Sequence, residues 1–110
     1  MMEMKKIQAI IRTSKFDDVR AALHQIGVEY FIYYEVKGVS FQNEQKGSYR
    51  GASIIETAAS IPRRAIEVAV PQVDVEEVVD CIKKAAYTGE VGDGKIYISP
   101  IDSAIRISLG

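Results

Sequence analysis

Between positions 65 and 71 the chain reads Ala65-Ile66-Glu67-Val68-Ala69-Val70-Pro71. Ile66, Val68 and Val70 alternate with Ala65, Glu67 and Ala69, a period of two that puts the branched residues on one face of a strand. Pro71 ends the alternation because it brings no N–H to a ladder. Downstream, Asp74 and Glu77 stand at capping-box spacing, so Asp74 is expected to cap a helix. Val75, Val78, Val79, Ile82, Ala85 and Ala86 form that helix's apolar stripe. Thr88-Gly89-Glu90-Val91-Gly92-Asp93-Gly94 is a glycine-punctuated loop. Lys95-Ile96-Tyr97-Ile98 reads as a strand ended by Pro100, and Ala104-Ile105-Arg106-Ile107-Ser108 as a short last strand.

Upstream, the same order occurs once more. Lys6 to Arg12 is a strand with Ile7, Ala9 and Ile11 on one face. Ser14 is placed to cap a helix whose apolar positions are Phe16, Val19, Leu23 and Ile26, and Gly27 sits where a left-handed C-cap belongs. Val28 to Lys37 is rich in aromatic and β-branched residues and reads as a strand. From Gly38 to Pro62 no period is sustained, and a loop of that length inside a small domain is usually functional or disordered. Two strand–helix–strand units joined by a long connection define an α+β class, the ferredoxin-like βαββαβ sandwich. Helices cover one face of such a sheet, and a homo-oligomer is the simplest cover for the other.

The 110 residues suffice for a single domain over 1–110. A net charge of -1 gives no general positive field, so nucleic acid is not an expected partner. No apolar run nears the roughly 20 residues of a membrane helix, so direct membrane insertion is not expected. Cys81 stands alone, which fits a reducing compartment, and the cytoplasm is the expected location. His24 is the only histidine, and without a second His or Cys placed to help, it does not make a zinc site. No nucleophile–base–acid set stands out, and the acids Asp17, Asp18, Glu76 and Glu77 belong to helix starts. No enzyme active site is expected.

The strongest local chemical signal is the loop ending in Gly92-Asp93-Gly94-Lys95. Closely spaced glycines let backbone amides approach an anion, and a lysine adds a cation. Taken alone, the pattern is more often a tight helix-to-strand turn with a solvated lysine, because short glycine motifs recur by chance.

The segment Thr88 to Ile98 resembles the C-terminal signature of the PII nitrogen-regulatory signal-transduction family. Lys5 to Arg12 resembles that family's opening strand, Phe16 to Leu23 its first helix, and Glu35-Val36-Lys37-Gly38 the entrance to its T-loop. Tyr49-Arg50-Gly51-Ala52 resembles the T-loop signature and Ile105-Arg106-Ile107 the closing strand. The resemblance covers nearly the whole chain in order. It implies a homotrimer of ferredoxin-like subunits, with a T-loop over 39–62 between the second and third strands, a B-loop over 85–95, and a C-terminal strand and tail over 101–110. It implies ATP or ADP in clefts between subunits, with Mg²⁺ accompanying ATP, and for many members 2-oxoglutarate. It also implies regulation of a target protein through the T-loop, the target being a membrane transporter or an enzyme, in nitrogen or carbon metabolism.

Carried over to this sequence, the phosphate contacts are Gly89, Gly92, Asp93, Gly94 and Lys95, with Arg106 as a second cation. The adenine side is Ile10, Ile32 and Ala69, with Gly38, Val39 and Ser40 at the T-loop entrance. Without the resemblance, those apolar residues read as ordinary core. Gln42 matches the position that helps hold Mg²⁺ and 2-oxoglutarate, and Arg63 falls where the family usually keeps a lysine near the same ligand. Phe41, Tyr49, Arg50 and Gly51 belong to the partner-binding loop.

Some positions depart from the pattern. Phe41 replaces the usual arginine after Gly38, which places the 2-oxoglutarate response in question. Ile54 occupies the position of the tyrosine that is often uridylylated, and it has no hydroxyl to modify. Ser108 replaces a second arginine, and Ile32 a common threonine. The expected function is therefore that of a divergent, non-catalytic PII-like regulator. Alternatives are a PII-like sensor of bicarbonate, a cyclic nucleotide or a metal, or a very weak ATPase.

Overall fold

The computed structural model describes residues 3–39 and 62–108. Four strands are present: β1 Met4–Arg12, β2 Ile32–Val36, β3 Arg63–Pro71 and β4 Gly94–Ile101. Two helices, α1 Phe16–Gln25 and α2 Val75–Ala86, follow β1 and β3. All strand pairs are antiparallel and the sheet order is β2-β3-β1-β4. This is the ferredoxin-like α+β arrangement.

The alternation read from the sequence is the core. Ile7, Ala9 and Ile11 of β1 and Ile66, Val68 and Val70 of β3 are buried. They meet Phe16, Val19 and Leu23 of α1 and Val78, Ile82 and Ala86 of α2. Burial of each large aliphatic side chain contributes roughly 1.5–3 kcal/mol. Helix α1 closes in a Schellman motif: Val28 N–H donates to the Leu23 carbonyl at 3.0 Å and Gly27 N–H to that of His24 at 3.1 Å. Gly27 has φ +93°, as the expected C-cap requires.

Several element ends differ from expectation. Ser14 and Asp74 do not cap. Each helix instead follows a 3₁₀ turn, Thr13–Lys15 or Gln72–Asp74, and no cap side chain bonds to the helix. The cap residue of α2, Asp74, has near-helical φ/ψ of -99° and -2°, whereas a capping side chain needs extended backbone. The 3₁₀ bonds from Phe16 N–H to Thr13 and from Val75 N–H to Gln72 take over the role. β2 begins at Ile32 and not at Val28, since Val28 is held by the Schellman bond. β4 runs through Pro100 to Ile101. It is an edge strand, where a missing N–H is tolerated. Residues 102–108 form no strand, and Ile105 and Ile107 are almost fully exposed. A five-residue segment needs a ladder to join, and none is formed with another strand of the described chain.

Gly94 opens β4 close against the backbone of Ile10. A Cβ there would lie 1.8 Å from the Ile10 carbonyl oxygen, at φ +126°. Gly94→Ala is expected to cost more than about 2 kcal/mol through clash and strain. Gly38→Ala has nothing within 4 Å of the added carbon and should cost little. Leu23→Ala should cost about 2–5 kcal/mol, against less than about 0.5 for Val73→Ala, whose side chain is exposed. Urea unfolding at one fixed protein concentration checks all four.

Candidate functional site

The loop between α2 and β4 is built around one carboxylate. Asp93 Oδ2 accepts from the backbone N–H of Thr88 at 2.9 Å and of Gly89 at 3.2 Å, and Oδ1 accepts from the Thr88 hydroxyl. Arg12 Nε donates to Asp93 Oδ1 at 3.0 Å from the end of β1. The Thr88 hydroxyl in turn accepts from Glu90 N–H at 3.1 Å. These donors, Thr88 first, hold the Asp93 carboxyl well below the ordinary carboxylate range.

Two arginines grip the loop's carbonyls. Arg12 Nη2 donates to Val91 O at 3.0 Å, and Arg63 Nη2 to Gly92 O at 3.0 Å. Arg63 Nη1 also donates to Pro62 O at 3.2 Å, where the described chain resumes. Burial, and then the nearby Arg12 charge, lower the pKa of Arg63, although a guanidinium remains protonated at any working pH. Lys95 follows the loop as the cross-strand neighbour of Ile10, and its side chain is exposed.

The sheet face away from the helices carries Ile32 and Tyr34 of β2, Glu67 and Ala69 of β3, Gln8 and Ile10 of β1, and Lys95 and Tyr97 of β4. Tyr34 donates to Glu67 Oε2 at 2.5 Å, and Gln8 Nε2 donates to both, at 2.9 and 3.1 Å. The bond raises the Tyr34 pKa and lowers that of Glu67. Ile32, Tyr34 and Tyr97 remain 44%, 39% and 53% exposed.

The expected site residues therefore fall into two groups. Ile10, Asp93, Gly94 and Lys95 line a cavity of about 420 Å³ between α2 and β4. Gly89, Gly92 and Arg63 belong to the same end through the loop and its clasp. Ile32 and Ala69 line a different cavity of about 580 Å³, with Tyr30, Phe31 and Glu67. Gly38 and Val39 leave the end of β2. Arg106 lies in the irregular tail. Ser40, Phe41, Gln42, Tyr49, Arg50, Gly51 and Ile54 lie outside the described residues.

Sequence reasoning missed Arg12 and Thr88. Arg12 looks like the polar end of a strand, and its reach across 81 positions to Asp93 has no local signature. The Thr88 hydroxyl could have been suspected as an ST-turn opening a glycine loop. Among the described residues no group of three His, Cys, Asp or Glu side chains could hold a metal, and no helix is long and apolar enough to cross a membrane.

Comparison with known proteins matches this organisation along its length. A model of the family described as "Nitrogen regulatory protein P-II" matches residues 4–110. The chain is 44% identical over 107 residues to a nitrogen regulatory protein P-II of Synechocystis sp., covering 97% of this chain and 94% of that one. It is 39% identical over the same length and coverage to a P-II protein of Azospirillum brasilense, and 40% to the nitrogen regulatory protein GlnK of Escherichia coli. Among solved structures, Arabidopsis thaliana PII bound to citrate superposes with a TM-score of 0.76 at 28% identity, over 96% of this chain and 84% of that one. The chain belongs to the nitrogen regulatory protein P-II family.

Proposed function

We propose that this P-II chain is a non-catalytic regulator that binds ATP or ADP between protomers of a trimer and acts on a partner protein through its 39–62 loop. The observation that carries the reading is the 88–95 loop itself. Of its two carboxylates, Asp93 is committed inward to Thr88 and Arg12 and Glu90 is exposed on the other side of Val91 and Gly92 in the chain, while Lys95 stands exposed beside apolar Ile10. An inward acid and an outward cation make a surface for a polyanion, and the neighbouring isoleucine offers a base an apolar wall. The Arabidopsis relative was solved with a polyanion, citrate.

The sheet order supports an intersubunit position. Ile32, Gly38 and Val39 belong to the β2 edge and Gly92 to Lys95 to the β4 edge. Three strand spacings, about 14 Å, separate those edges, which favours a nucleotide shared by the β4 edge of one protomer and the β2 edge of another. A head-to-tail ring of three puts the β4 edge of one protomer against the β2 edge of the next. Packing the open faces together inside such a ring would cover exposed Ile32, Tyr34 and Tyr97. The nucleotide would biase the loop through the γ-phosphate and its Mg²⁺, which distinguish ATP from ADP. Gln42 is the residue expected to face that metal.

Calorimetric titration with ATP and ADP, with light scattering for the assembly mass, tests the reading. Lys95→Ala should weaken ATP at least about 10-fold, the value of one charge-assisted hydrogen bond. A monomer, or a trimer giving no heat at millimolar nucleotide, ends it. Asp93→Asn gives a second check. The folded pKa of Asp93 lies below its ordinary 3.8, so its stabilisation is present above that value and lost as pH falls through the folded one. The stability gap between wild type and Asp93→Asn should hold steady from pH 7 to about 5 and shrink below 3.8, as followed by denaturant unfolding.

A further inference from the structure

We propose that Arg12 and Arg63 are positioning residues of the phosphate loop, holding the carbonyls of Val91 and Gly92 inward so that the amides of Gly92 and Asp93 point outward as an anion nest. The proposal rests on the nucleotide reading above and deepens it. No described peptide bond is cis. In a trans peptide the C=O and the following N–H point in opposite directions. Arg12 fixes the Val91 carbonyl and therefore the Gly92 N–H. Arg63 fixes the Gly92 carbonyl and therefore the Asp93 N–H. Two successive amides then face away from both arginines, toward the side where an anion can approach.

Two successive carbonyls on one side need an unusual backbone, and Gly92 supplies it with φ +96°. Both guanidiniums converge on that residue: a Cβ there would lie 3.4 Å from Arg63 Nη2 and 3.6 Å from Arg12 Nη2. Arg63 is thereby assigned a task other than the one expected from the sequence. It donates to the loop and to Pro62 with its two terminal nitrogens, a two-pronged contact that a lysine ammonium does not reproduce.

The test separates orientation from simple charge. In the nucleotide-free protein, amide hydrogen exchange across residues 88–94 should quicken at least about 10-fold in Arg63→Gln and in Arg12→Gln, with the core amides of β1 and β3 unchanged as a control for folding. ATP affinity of both variants should fall about 10-fold, and the fall should persist in 0.5 M NaCl, where the screening length is about 4 Å. Arg63→Lys, which keeps the charge, should recover only a minor part of the loss. Full recovery with Arg63→Lys, a loss that vanishes at high salt, or loop amides exchanging as in wild type would each overturn the clasp. Wild-type protein that binds no nucleotide would sink the nucleotide reading instead, and the exchange measurement would still decide whether the arginines hold the loop.

Discussion

In a sheet ordered β2-β3-β1-β4, the backbones of β2 and β4 stand at opposite edges, three strand spacings or about 14 Å apart. Everything proposed about this chain's ligand depends on that constraint. The glycine loop opens onto β4, and Ile32 and the start of the 39–62 segment belong to β2. The fold thus separates the glycine loop and Lys95 from Ile32 and the start of the 39–62 segment, and leaves each end with its own cavity. In the proposed site, a ligand with a charged part and a flat apolar part meets the two ends from different protomers. Assembly is then part of the proposed site's construction, and the exposed tyrosines of the open face are its natural cover.

The loop at the β4 edge needs a backbone that glycine adopts without strain, and it is held in that shape locally. Gly92 and Gly94 have positive φ, and Gly94 lies against the Ile10 carbonyl. Holding that shape are the four donors on Asp93 and the two arginines on consecutive carbonyls. The partners come from β1, from β3 and from Thr88 and Gly89 at the loop's own start, so the loop is shaped before any ligand arrives. Pre-organisation of this kind lowers the ordering cost of binding.

Most of the architecture was legible because it depends on periodicity. The faces of β1 and β3 and the stripes of α1 and α2 were read correctly, since burial enforces a period of two or of 3.6. The helix starts were misread. Ser14 and Asp74 are cap-type residues, but a 3₁₀ turn after each strand had already satisfied the first donors. Pro100 was read as a stop although an edge strand carries it at little cost. The candidate site was half legible. The glycines and Lys95 are local in sequence, whereas Arg12 and Arg63 act across 79 and 29 positions and become visible only through the strand register.

The charge around the loop follows from the same register. Three cations, Arg12, Arg63 and Lys95, and two acids, Asp93 and exposed Glu90, belong to the loop and its surroundings, and only Arg12 pairs with Asp93. The cations are not equivalent. The two guanidiniums are engaged by Val91, Gly92 and Asp93, which fixes their position and leaves their charge in place. Lys95 stands outside that network on β4, with a flexible ammonium that can follow a ligand. Arginines at the fixed positions and lysine at the mobile one agree with the chemistry of each side chain: the planar fork suits two stationary acceptors, and the ammonium suits one that moves. In that arrangement the backbone amides set direction, the arginines hold the amides in place, and the lysine supplies the attraction felt at a distance.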